Sequence, residues 1–206
     1  MSAAVFQSLL AQLVVDPALR DRMRAEGIAP QADLDALERQ RLLHVAAHPG
    51  LSVNHMLHRG FRLGKLKALL PLTCVVLKSP RLQKAVERFW AEHPPRSFYF
   101  LPEAIEFCSF LLTQPTRSKY LREVVAFERA HLELQRARLG DAPRQMVRFQ
   151  HNPSKLLALL AQGRQPQGLP PMPCTAEGTV DERGQVHWGL LVQAGPAWAR
   201  PCALQR

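Results

Sequence analysis

Two pairs of histidines carry the spacing in this chain that most suggests a metal. His44 and His48 stand four residues apart, and His55 and His58 three apart, in segments of helical pattern. Such spacing can put two imidazoles on one helix face. Neither pair forms H-E-x-x-H, and no carboxylate lies within a helical turn of His55 and His58. The histidines therefore read as rings partly buried on helix faces, and no metal ligand is assigned to this chain. Paired acids are no better marked for acid–base work. Glu103 with Glu106, and Glu123 with Glu128, are expected to be accounted for by ion pairs along their helices. Cys108 has apolar helical neighbours, a setting in which a thiol stays inert. Phosphate-loop, dinucleotide-loop and nucleophile-elbow patterns are absent. No catalytic residue and no cofactor is expected in this chain.

The charge is more telling. Of the formal +10, residues 59–88 hold +7, with eight Lys or Arg against the single acid Glu87. A concentration of that kind suggests an acidic partner surface or phosphates, against the plainer reading of a solvated helix face. The four cysteines (Cys74, Cys108, Cys174, Cys202) show no C-x-x-C spacing, which fits a reduced, cytoplasmic protein and not a zinc ribbon. No apolar run is long enough to span a membrane, and the start "MSAAVFQSLLAQLVV" reads as a helix and not a secretory signal.

The elements that would position such groups are punctuated clearly. Asp16-Pro17 and Gly27 bracket a short helix after an initial one over about 3–14. A third spans about 31–47 and ends at Pro49-Gly50, and Ser52 can cap the next. Pro71 forces a kink or a restart, and Ser79-Pro80 starts another helix. Tyr120, Val124, Phe127, His131 and Leu134 recur along one face of the clearest helix. After "LGDAP" the texture changes. Residues 144–150 alternate like a strand, Asn152-Pro153 opens a short helix closed by Gly163, and a hairpin turns at Asp181 to Gly184. On its second strand Val186, Trp188, Leu190 and Val192 share one face, expected to pack inward. The fold class is α+β: an all-helical domain over 1–138, then a small domain over 139–206 with an antiparallel sheet and a short helix. A domain that small leans on the helical half or on a partner.

The stretch "FWAEHPPRSFYFLPEAIEFCSFL" (89–111) joins two amphipathic segments through His93-Pro94-Pro95. Phe98, Tyr99, Phe100 and Leu101 are expected as an extended connector, with Phe98 and Phe100 in the core and Tyr99 outward. Followed by "YLREVVAFERAHLEL" (120–134), this stretch resembles the small helical partner proteins of multinuclear iron oxidases that modify cysteines in ribosomally made peptides. The later phrase "MVRFQHNPSKLLALLAQGRQPQGLP" (146–170), a strand, His-Asn-Pro, a Leu-rich helix and a Pro-rich exit, is similar to the MbnC-like partners of methanobactin biosynthesis.

That resemblance implies a non-catalytic subunit of a heterodimer. The iron would sit in the partner oxidase, which converts cysteines of a precursor peptide to oxazolone and thioamide pairs that later bind copper. This chain would hold the leader peptide. Two surfaces are expected to carry that role. The basic segment, with Arg81, Lys84 and Arg88, and Tyr99 from the aromatic run would face the acidic surface of the oxidase. The strand holding Val186, His187, Trp188, Gly189 and Leu190 would take the peptide as an added strand, with 144–150 as the other candidate edge. The competing reading is a basic helical nucleic-acid-binding regulator. Against it stand few aromatics in the basic segment and no helix-turn-helix spacing.

Overall fold

Asp16 and Asp35 show how firmly local chemistry sets the first helices. The structure, a computed structural model, describes residues 3–28, 33–93, 100–137 and 143–191. After α1 (Ala3–Val15), the Asp16 carboxylate accepts from the Ala18 and Leu19 amides and opens α2 (Pro17–Glu26), which Gly27 ends at φ +78°. A reciprocal capping box between Asp35 and Glu38 begins α3 (Ala36–Ala47), later than the start near 31 expected from periodicity. Arg24 then caps the far end of α3 by donating to the carbonyls of Ala46 and Ala47 at 2.6 and 2.9 Å. Leu13, Met23, Leu42 and Ala46 form the small core of these helices. α4 (Gly50–Leu69) starts two residues before Ser52, so that serine is not its cap; its hydroxyl accepts from Arg20 at 3.2 Å instead.

By packing, the chain divides into two compact units, residues 1–65 and 66–206. The second contains α5 (Pro71–Glu92), α6 (Phe100–Thr113), α7 (Leu121–Arg136), β1 (Arg144–His151), α8 (Pro153–Ala161), β2 (Pro171–Val180) and β3 (Val186–Leu191). The described residues thus form an α+β chain whose strands all lie toward the C-terminal end. The sheet shares its unit with α5–α7: α7 packs against α5, α6 and all three strands. Phe100 and Leu101 already belong to α6, which corrects the expected extended connector. Proline is tolerated in the first turn of a helix, so Pro102 does not have to mark its first residue. Phe98 and Tyr99 lie outside the described residues.

The strands run antiparallel in the order β1-β2-β3, with an irregularity between Phe149 and His151. Phe127 of α7 meets Phe149 and Trp188 at ring-centroid distances of 6.1 and 4.8 Å, covering one sheet face. Gly178 is required there. A Cβ on it would stand 2.6 Å from Leu134 and under 3 Å from the Trp188 ring.

α7 is buried on more sides than an amphipathic stripe allows, because two of its inward residues are acids. Glu128 accepts from the Leu72 and Thr73 amides at 2.8 Å each, replacing the side-chain cap that Leu70 cannot give α5. One turn toward the N-terminus, Glu123 accepts from the Gln150 and His151 amides at 2.9 and 3.2 Å and meets the His151 ring at 2.5 Å. Neither acid makes the helical ion pair expected of it. Arg129 reaches Glu133 instead, and Glu103 accepts from the Trp90 indole at 2.8 Å.

Removing the Glu128 carboxylate strands two amides at the head of α5. Glu128→Ala is expected to cost about 3 kcal/mol in urea unfolding. Burial pushes the Glu128 carboxyl above its ordinary 4.5, with hydrogen bonds from Thr73 and Leu72 pulling the other way. The folded chain then holds a proton that the unfolded chain has released, so this group's contribution is full below about pH 4.5 and is lost as pH rises through its folded pKa. Denaturation series are expected to show the wild type losing stability relative to Glu128→Gln as pH climbs from that point. A wild type that gains on the variant over that range would reverse the assignment.

Candidate functional site

The basic face of α5 is aimed by a break within the helix. Lys78 has φ +59° and ψ +159°, the only described non-glycine residue at positive φ, and Pro80 follows it. The restart foreseen at Ser79-Pro80 takes this form: a side-chain-bearing residue held in a region that favours glycine, at a cost of about 1–3 kcal/mol. Past the break, Arg81, Lys84 and Arg88 recur at helical spacing along one wall of a pocket of about 440 Å³.

The opposite wall comes from the end of α6 and the loop into α7. Phe110, Leu111 and Leu121 join Val76 and Leu77 as an apolar floor, and Arg117 adds a fourth cation at the rim. Arg88 is already held: it donates to the Gln114 side-chain oxygen at 3.0 Å and stands 6.0 Å from the Phe110 ring centre. In the loop, the Thr116 hydroxyl accepts from the Ser118 amide at 3.0 Å. Among the described residues no acid lines the pocket. Among the described residues none of the four cations has an acidic partner. Three of the four expected partner-binding residues are thus brought to one concavity. The fourth, Tyr99, lies outside the described residues. Arg117 went unread because its segment, "TQPTRSKY", carries no periodicity; its local signal is a Pro-interrupted turn rich in Thr, Ser and Lys.

The expected peptide-binding residues lie together on β3, at an end of the sheet. Trp188 is its anchor, donating from Nε1 to His131 Nδ1 at 3.3 Å. Burial lowers the pKa of His131, which keeps that nitrogen free to accept. His187 points away and meets Asp181 at 2.9 Å, and the Asp181 carboxylate also accepts from the Arg183 and Gln185 amides of the turn. Val186 is half-buried and Gly189 exposed. Leu190 does not pack inward as its face predicts. It stays 46% exposed beside Leu191 at 43%, whereas Trp188 on the same face packs on Phe127 of α7.

The direction of the free backbone groups follows from the turn. The Asp181 amide donates to the Gln185 carbonyl at 3.0 Å, and the β2–β3 register continues unbroken from Val180–Val186 to Thr175–Leu191. Hydrogen-bonded pairs alternate along such a ladder. His187, Gly189 and Leu191 therefore turn their amides toward β2, while Val186, Trp188 and Leu190 turn theirs outward. Among the described residues no strand pairs with that outer edge. The competing edge, β1, is partly engaged, since Glu123 takes the Gln150 and His151 amides.

Other chemically capable groups are structural. α3 ends at Ala47 and His48 is its cap, so His44 and His48 do not share a helix; the His48 ring accepts from the Gly50 amide at 3.1 Å. Burial lowers the pKa of His55, with Arg59 and Arg20 adding to the effect. Cys108 is fully buried, and burial pushes its thiol well up; the Cys74 thiol is pushed up to about 11 by the same cause. Among the described residues no three metal-ligating side chains gather, and no helix is long and apolar enough to cross a membrane.

Comparison with protein-family models, with curated proteins and with solved structures finds no match to this chain.

Relief of the Lys78 conformation is measurable. Lys78→Gly removes the Cβ clash, offset in part by glycine's greater freedom in the unfolded chain, and is expected to raise unfolding stability by about 1 kcal/mol. Lys78→Ala keeps the clash and is expected to leave stability near the wild type.

Proposed function

We propose that this chain is the non-catalytic recognition subunit of an iron-dependent oxidase that modifies cysteines in a ribosomally made peptide, of the methanobactin type. The iron and the oxidation belong to the partner subunit in this reading. This chain's own residues bind, orient and present the precursor. The observation that carries the reading is the outer edge of β3, where an extended leader can add as a further strand by pairing with the outward amides of Trp188 and Leu190. Leu190 and Leu191 give alternate leader side chains apolar ground beside that edge. Main-chain pairing tolerates sequence, which suits a subunit that grips a leader while the cysteines to be changed lie elsewhere on the peptide. Trp188, locked against Phe127 and His131, keeps the edge rigid and lowers the ordering cost of binding. The resemblance of residues 89–111, 120–134 and 146–170 supplies the identity of the partner. The cationic wall of α5 is the face that such a partner's acidic surface would meet.

The edge is tested by one donor. Leu190→Pro removes an outward amide and leaves the β2 ladder intact. Circular dichroism is expected to show an unchanged fold. Affinity for the leader of the cysteine-containing precursor peptide is expected to fall at least tenfold, about 1.4 kcal/mol. Leu190→Ala, which keeps the amide, is expected to stay within about threefold of the wild type, on the order of 0.6 kcal/mol. A folded Leu190→Pro variant that binds the leader undiminished would place the peptide elsewhere.

A further inference from the structure

We propose that the pocket between α5 and the α6–α7 loop is a socket for an acidic–apolar segment of the protein partner, in which carboxylates flank one large apolar side chain. The inference rests on the recognition-subunit reading for the partner's identity, but its physical basis is the pocket itself. Arg81, Lys84, Arg88 and Arg117 surround one concavity with no acid among its described lining residues. Like charges gathered this way repel in the free chain, and the repulsion is relieved when anions enter. Phosphate alone would satisfy the charge but not the floor. Val76, Leu77, Phe110 and Leu121 offer apolar surface that only an apolar group can cover. A volume of about 440 Å³ lies within the range of small-ligand sites and has room for an aromatic or leucine side chain with its flanking carboxylates.

Preorganisation points the same way. Gln114 and the Phe110 ring already hold the Arg88 guanidinium, so less side-chain freedom is lost on binding. The strained backbone at Lys78 turns the Arg81–Arg88 face onto the pocket. Nucleic acid fits less well. The one aromatic ring lining the pocket, Phe110, is buried in the floor and offers no platform for base stacking, and the cations ring a pit where a phosphate backbone needs a track.

The test uses the full chain and three fluorescent probes in anisotropy titrations. These are a short, otherwise uncharged peptide carrying Glu-Phe-Glu, the same peptide with Ser in place of Phe, and a DNA duplex. The Glu-Phe-Glu probe is expected to bind at least about tenfold more tightly than its Ser counterpart. Arg81→Glu combined with Lys84→Glu is expected to weaken that binding at least tenfold. Ala85→Leu, which fills the pocket without changing charge, is expected to weaken the Phe probe and leave the Ser probe unmoved. Circular dichroism confirms that each variant is folded, and Ala85→Leu keeps the test decisive where charge reversal disturbs the helix. Equal affinity for the two peptides, tighter binding of the duplex, or indifference to all variants would overturn the socket. Pull-down with the iron oxidase subunit separates the two levels. If the oxidase binds the pocket variants as it binds the wild type, the socket fails and the subunit reading stands. If the probes behave as expected but the oxidase never associates, the subunit reading fails instead.

Discussion

Two buried carboxylates on α7 hold the second unit in register. Glu128 reaches the otherwise uncapped amides at the head of α5, more than fifty residues away in sequence, and Glu123 reaches the amides at the end of β1 and the His151 ring. Burying a carboxylate is costly, and here backbone donors from two different elements offset part of that cost. Each acid therefore fixes one neighbour's position along α7 as well as its distance. Hydrophobic packing through Val124, Val125 and Phe127 supplies most of the attraction but little direction. The directional information comes from the acids.

Both proposed binding surfaces depend on that arrangement. With its first turn tied to Glu128, α5 can break at Lys78 and still present Arg81, Lys84 and Arg88 across from the α6–α7 loop. With β1 tied to Glu123, one outer edge of the sheet is partly spent, and β3 is left as the freer edge. Gly178 lets Leu134 and Trp188 close over the middle strand, which seats β3 firmly enough to serve as a template. The chain thus separates a charged socket from a neutral strand edge, each suited to a different kind of partner segment.

Much of the fold was legible because short-range chemistry writes it. Asp16-Pro17, Asn152-Pro153 and the Asp181–Gly184 turn sit where their residue types demand. Periodicity also picked out the Phe127 and Leu134 face of α7. The misreadings at Glu123, Glu128 and Leu190 share a cause: long-range partners that no local pattern encodes. Glu123 and Glu128 look like solvated acids beside arginines until the amides they cap, far off in sequence, are brought to them. Leu190 obeys the strand alternation but stays exposed, whereas Trp188 on the same face packs on Phe127 of α7. At the cationic site, Arg81, Lys84 and Arg88 announced themselves by spacing, whereas Arg117 comes from an aperiodic loop and joins only through the tertiary fold.

The proposed division between a leader-binding edge and a partner-binding socket is most directly measured by hydrogen–deuterium exchange of the full chain, alone, with the oxidase subunit, and with precursor peptide added. The account predicts that peptide slows exchange of the outward amides in Val186–Leu190, while the oxidase slows exchange in the loop around Arg117 and along Arg81–Arg88. Protection by peptide confined to the pocket, with β3 exchanging as in the free chain, would contradict it.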